Sequence, residues 1–327
     1  MIEGSHRVQT TILKAIGIVQ VLIGIVAAYY GPLEIYVFYF FSKGGQFFYE
    51  GFGIGSFWFG MLVAHNISYY LLAGLLIPVG IGTLRLRRWA LTLSVLYLWG
   101  LFAFGVFFII NLGILTPAFI RFGEAIVIYR LIIVSLLSLT FLILFPIVLL
   151  RFYKSNKVKN IFERNDPNIY WTEKYPLPIL ALLFLFLFCV IAWHLAIFFQ
   201  AMFPLFGKLM FGRQMVYCIA LCIVALYGLI YGVFRLKIWA WWAALIYFTL
   251  LTVSVVMTFT RYSFYQIVSM MNLPEFEMDF IGKVAVLHDY YLVGLFGLPL
   301  LLILGLLIYS RRYFTPKEAC MQSGKAS

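Results

Sequence analysis

Apolar residues come in eight long runs separated by short polar or broken segments, and that spacing predicts eight membrane-spanning helices. The runs cover about residues 10–30, 56–82, 89–111, 125–150, 178–201, 214–233, 239–260 and 286–309. Each is long enough to cross about 30 Å of hydrocarbon with some tilt. Gly31-Pro32 is expected to stop the first span, and Pro117 to break the connection after the third. Residues 33–55 are too rich in glycine for a span and too apolar for a solvated loop, which predicts an interfacial or re-entrant segment. The substantial polar linker, residues 151–175, places Val158, Ile161 and Phe162 at helical spacing among lysines and asparagines. That pattern fits a short helix lying on the membrane surface, with a solvated loop as the alternative.

Two of the short connections share a sequence. Gly82-Thr-Leu-Arg-Leu-Arg-Arg-Trp89-Ala90 and Gly232-Val-Phe-Arg-Leu-Lys-Ile-Trp239-Ala240 are offset by 150 residues, and six of the sixteen positions from 82 to 97 match those from 232 to 247. The expected architecture is therefore an all-α integral membrane protein of eight transmembrane helices in two similar four-helix halves. These halves are residues 1–150 and 176–327, with the basic cytoplasmic linker 151–175 between them. An even number of spans per half gives both the same topology, so the internal repeat is parallel rather than inverted.

Composition removes the soluble alternatives. The chain is 64% hydrophobic and 11% charged, with a mean hydropathy of +1.01; a water-soluble domain carries about a quarter charged residues. The net charge of +12 does not point to nucleic acid, because the basic residues cluster beside apolar runs. Of 24 lysines and arginines, 17 fall on the side of the shared turns and both termini, six on the other side, and Arg130 lies within span 4. This bias puts both termini in the cytoplasm, in the plasma (inner) membrane of a prokaryote. Arg85, Arg87, Arg88, Arg235 and Lys237 then read as topology anchors that reach anionic lipid headgroups, with Trp89 and Trp239 at the interface. The linker is a candidate surface for a protein partner. Cys189, Cys218 and Cys222 lie inside apolar runs and Cys320 in the polar tail, so all four are expected to be free thiols.

Polar groups within spans are costly in lipid and are functional candidates by default. His65, Asn66 and His194 stand out, and with Glu124, Arg130, Gln200, His288 and Asp289 they fall near the extracytoplasmic ends of their spans, as an outward-facing polar pocket requires. Two histidines could instead ligate a b-type haem. The plain alternative is interhelical hydrogen bonding, such as His65 to Tyr69. Gly24 and Ala28 on span 1, and Gly60, Ala64 and Ser68 on span 2, recur every four residues as faces for close helix packing. No metal-ligand set, phosphate-binding loop or nucleophile elbow is present in the sequence. That favours a non-enzymatic accessory or scaffolding component without a cofactor. A carrier for a small or amphipathic solute and a b-haem redox protein are the alternatives.

Overall fold

The computed structural model describes residues 2–49, 51–54, 56–120, 125–198, 202–270, 278 and 291–314. Among them, eight helices are long and apolar enough to cross a membrane, and the chain is a multi-pass integral membrane protein. The first three spans are α1 (Ile2–Phe41), α2 (Phe57–Leu84) and α3 (Arg88–Ile120). The fourth is built from α4 (Ala125–Ser138), a π-helical segment (Leu139–Leu144) and α5 (Phe145–Tyr153). The linker folds into α6 (Asn156–Asn165) and α7 (Trp171–Lys174). Then come α8 (Leu177–Phe198), a hairpin of β1 (Phe203–Leu205) and β2 (Lys208–Met210), α9 (Gly212–Phe234), α10 (Ile238–Phe259), α11 (Phe264–Ser269) and α12 (Tyr291–Ser310). The chain divides into two compact units. One takes residues 1–54, 58–110 and 129–175, and the other takes 55–57, 111–128 and 176–327.

Within the first unit, Leu13, Gly17, Gln20, Gly24, Ala27, Gly31 and Glu34 recur along α1 at alternating steps of four and three. That is the heptad spacing of a helix seam. The glycines let α2 come close: a Cβ at Gly17 would lie 2.9 Å from the Gly80 carbonyl, one at Gly24 2.6 Å from Ile77, and one at Gly31 3.0 Å from Asn66 Oδ1. Lipid tails are as apolar as leucine, so this pair is held by van der Waals contact that any added methyl would disturb. The four-residue stripes expected from sequence are only partly used. Gly24 and Gly60 are buried, but Ser68 is exposed and bonds its own Ala64 carbonyl at 2.7 Å.

Two proline expectations are corrected. Pro32 does not end α1, which continues to Phe41, and Pro117 sits inside α3. Proline removes one intrahelical donor, and membrane helices absorb that loss more readily than soluble ones. The residues expected to form an interfacial segment are therefore helical as far as Phe41, and turns follow. The π-helical segment of span 4 has a local cause. Pro146, which has no N–H to donate to the Leu142 carbonyl, follows directly on the π-helical segment and interrupts the α-helical ladder there. Gly105 of α3 packs against the freed carbonyl, since a Cβ there would lie 2.5 Å from it.

The linker helix departs from expectation in what covers it. Its helical spacing is confirmed, with Ser155 as N-cap accepting from the Val158 N–H at 3.4 Å. Val158, Ile161 and Phe162, however, are fully buried against Leu13, Leu86, Leu98, Leu150 and Tyr153 of the same unit instead of facing lipid. Each such burial is worth about 1.5–3 kcal/mol. The linker is part of the first unit's core.

In the second unit α8, α9, α10 and α12 pack in a ring, each on two others. Phe186 stacks on Phe248 with ring centroids 5.3 Å apart, and Trp241 Nε1 donates to the Leu307 carbonyl at 2.7 Å. The β1–β2 hairpin turns at Phe206 (φ 43°) and Gly207 (φ 87°), the left-handed pair of a tight primed turn. Its tip is bonded into α10. The Phe206 N–H donates to Ser254 Oγ at 2.9 Å, the Gly207 N–H donates to Thr258 Oγ1 at 3.0 Å, and Ser254 Oγ donates to the Pro204 carbonyl at 2.7 Å. Strand backbone is thus satisfied by buried hydroxyls, as backbone away from water must be.

Candidate functional site: two matched turns and a polar pair

The two shared turns have the same backbone. In the first, the Leu86 N–H bonds the Thr83 carbonyl at 3.1 Å and the Arg87 N–H bonds the Gly82 carbonyl at 2.8 Å; in the second, Leu236 bonds Val233 at 2.9 Å and Lys237 bonds Gly232 at 2.9 Å. This is the Schellman helix ending, with Leu86 (φ 52°) and Leu236 (φ 50°) in the left-handed position that glycine usually takes. Holding a leucine there costs about 1–2 kcal/mol. The shared glycine is explained as well. A Cβ at Gly82 would lie 2.7 Å from the Ala90 Cβ and 2.8 Å from the Trp89 ring, and one at Gly232 2.4 Å from Ala240 and 2.8 Å from Trp239. Glycine, leucine, tryptophan and alanine therefore define one turn: a flat helix end, a reversal, and a tryptophan-alanine cover.

The shared tyrosines both lie beside polar side chains. Tyr97 accepts from Gln20 Nε2 at 2.6 Å, and Tyr153, 1% exposed, lies beside Ser94, Thr83 and Gln20. In the second unit Tyr247 lies beside Cys222 and Trp193.

The surroundings of the two turns differ. Arg88 holds Glu173 of α7 through Nη2 at 2.6 Å and Nε at 2.8 Å, and Arg87 lies 3.6 Å from Asp166. Asp166, 1% exposed, also accepts from the Arg88 and Asn168 N–H groups at 3.4 Å. It therefore caps the first turn of α3 from another segment, where a carboxylate meets free donors and the positive end of the helix dipole. Burial alone would raise the Asp166 pKa, but the Tyr170 hydroxyl, the two N–H donors and the Arg87 charge hold it below the usual carboxylate value. At the second turn the Arg235 guanidinium lies over the Tyr231 ring at 5.8 Å, and Trp239 is half exposed. Arg87 and Arg88 thus join the linker to the helices, beyond the anchoring expected of them.

The second feature is a polar pair inside the first unit. His65 Nδ1 and Glu34 Oε1 are hydrogen-bonded at 2.6 Å, joining α2 to α1 within their candidate spans. His65 lies about 12 Å along α2 from its Phe57 end, at 1.5 Å per residue. Glu34 was missed as its partner because Pro32 was expected to end the helix before it; the signal available was the heptad that continues from Gly31 to Glu34. Tyr69, the expected partner of His65, instead lies tilted against it, with ring centroids 6.2 Å apart. Asn66 Nδ2 donates to the Leu62 carbonyl at 3.0 Å. Among the described residues, the buried atoms Glu34 Oε2 and Asn66 Oδ1 have no hydrogen-bond partner.

The other sequence candidates are placed as follows. Arg130 is exposed on α4. His194 belongs to the second unit, where its Nδ1 bonds its own Val190 carbonyl at 2.8 Å. Glu124, Gln200, His288 and Asp289 lie outside the described residues. Cys189, Cys218 and Cys222 are free thiols, the last two packed beside Phe203, Met215 and Ile219. Among the described residues, no group of three or more histidine, cysteine or acidic side chains comes together to hold a metal ion. The second unit carries a cleft of about 700 Å³ lined by Ile197, Phe211, Arg213, Met215, Tyr217 and Met270, mostly apolar.

Fold and site together define a polytopic helical membrane protein with a carboxylate–histidine pair between two of its candidate spans. Comparison of the chain with protein-family models, curated proteins and solved structures gives no match in any of the three.

Proposed function

We propose that the protein is a non-enzymatic carrier for a small or amphipathic solute, working from the polar site centred on Glu34 and His65. One observation carries this reading: an ionisable pair at 2.6 Å joins two candidate spans, and an ionisable group within a span is a functional candidate by default. In the same proposal the two halves form a parallel repeat, supported by the matched turns. Both termini lie in the cytoplasm of a prokaryotic cell, supported by the charge bias, and the pair then opens outward. The test is solute uptake into proteoliposomes by the wild type and Glu34→Gln. Uptake that Glu34→Gln leaves unchanged overturns the assignment to this site.

A second reading, an accessory or scaffolding component, is favoured by the folded linker. α6 turns Lys157, Lys159 and Arg164 outward, while Asp166 and Glu173 are engaged with Arg87 and Arg88. Lys159 is paired with Glu163 at 3.6 Å, which leaves Lys157 and Arg164 as the basic groups for anionic headgroups or an acidic partner. Co-purification from native membranes with those two residues changed to serine tests it, and retention of every partner counts against it. A Soret band in the purified protein would replace both readings with the b-haem alternative.

A further inference from the structure

We propose that the Glu34–His65 site binds a small primary ammonium group, R–NH₃⁺, a ligand class that deepens the carrier reading and rests on it. His65 occupies Glu34 Oε1 and leaves Oε2 as a buried acceptor without a donor among the described residues. One turn back on the same α1 face, Gly31 opens the space into which Asn66 Oδ1 and Tyr70 Oη project, both 3.0 Å from where its Cβ would be. Asn66 Oδ1 is a second buried acceptor without a donor among the described residues, and its amide nitrogen is committed to Leu62. Two orphan acceptors, one of them a carboxylate oxygen, ask for a cation that brings N–H donors.

The walls fit the same guest. Tyr30 packs on Tyr69 at 5.9 Å and Tyr69 lies 6.2 Å from the His65 ring, so aromatic rings border the pair, and ring faces attract an ammonium. A hard metal ion would need about six oxygen ligands. The side chains of Glu34 and His65 are 29% and 44% exposed, so the pair lies at the edge of the packed α1–α2 interface.

The experiment measures binding to the full-length protein in zwitterionic lipid nanodiscs by isothermal titration, with three probes. Propylammonium is expected to bind saturably. Propyltrimethylammonium, with the same charge and no N–H donor, is expected to bind at least tenfold more weakly, and propanol not at all. Equal binding of the first two overturns the proposal on the wild type alone, independently of whether any variant folds. Glu34→Gln should weaken propylammonium at least tenfold and Asn66→Leu severalfold, while His65→Gln, which keeps a donor for Glu34, stays within about threefold. Binding unaffected by Glu34→Gln also overturns it. Proteoliposome uptake separates the two readings: saturable binding without uptake sustains the ligand class and removes the carrier, whereas uptake of another solute with no propylammonium binding removes the ligand class alone.

Discussion

The turn at 82–90 and the turn at 232–240 share a backbone to within 0.2 Å in each corresponding hydrogen bond, yet one is built into a core and the other is left largely open. Leu86 is 7% exposed and packs with Val158, Ile161 and Phe162 of the linker; Leu236 is only half buried. The basic residues of the first turn hold carboxylates, whereas Arg235 of the second rests on an aromatic ring. The difference shows that the motif specifies a helix reversal by itself, and that the use made of its charges depends on what the following segment brings to it.

The largest effect should come from the feature the turns share most closely. Gly82→Val and Gly232→Val each force atoms into tryptophan and alanine at under 3 Å, and each should lower stability by about 1–3 kcal/mol in thermal unfolding followed by tryptophan fluorescence. A loss at one site alone would break the equivalence of the turns. Next, Asp166→Ala removes a buried acceptor from Arg87 and from the start of α3, for an expected loss of about 2 kcal/mol. The corresponding probe of the open turn, Lys237→Ala, should stay within about 0.5 kcal/mol.

Leucine-to-glycine changes sharpen the contrast because their signs should differ. Both relieve the left-handed strain, but Leu86→Gly also empties a core position and should lose about 1–2 kcal/mol net. Leu236→Gly gives up little packing and should be neutral or slightly stabilising; a loss equal to that at Leu86 would show that the second turn is covered as well.

The smallest effect is expected from acid. The Asp166 pKa is lower in the folded protein than in the unfolded chain, so its stabilisation is fully present above the unfolded value of about 3.9 and is lost as pH falls through the folded one. Proteolysis within residues 151–175 should therefore stay slow at pH 5 and quicken only below about pH 4. Cleavage that already quickens near pH 6 would mean that another group governs the linker.

Several of these features were legible before any coordinates. Val158, Ile161 and Phe162 announced a helix by their spacing, and Gly82, Leu86 and Trp89 announced a recurring turn by their order. Spacing reports which residues share a face, but whether lipid or protein covers that face depends on what the rest of the chain places there. Glu34 was overlooked for a related reason. A proline in a soluble sequence often ends a helix, whereas α1 continues past Pro32 and so carries the carboxylate to His65.

The sequence by itself determined eight spans, because in hydrocarbon each backbone donor and acceptor must be met within its own helix, so a long enough apolar run is sufficient specification. It also determined the shape of the two turns, since the glycine, the left-handed leucine and the tryptophan-alanine cover act over nine residues. Tertiary structure alone decided that the linker is core, that Arg87 and Arg88 are paired, and that Glu34 meets His65. Those outcomes rest on contacts far apart in sequence, 31 positions for Glu34 and His65, 85 for Arg88 and Glu173 and more for Leu13 and the linker, and no local pattern encodes them.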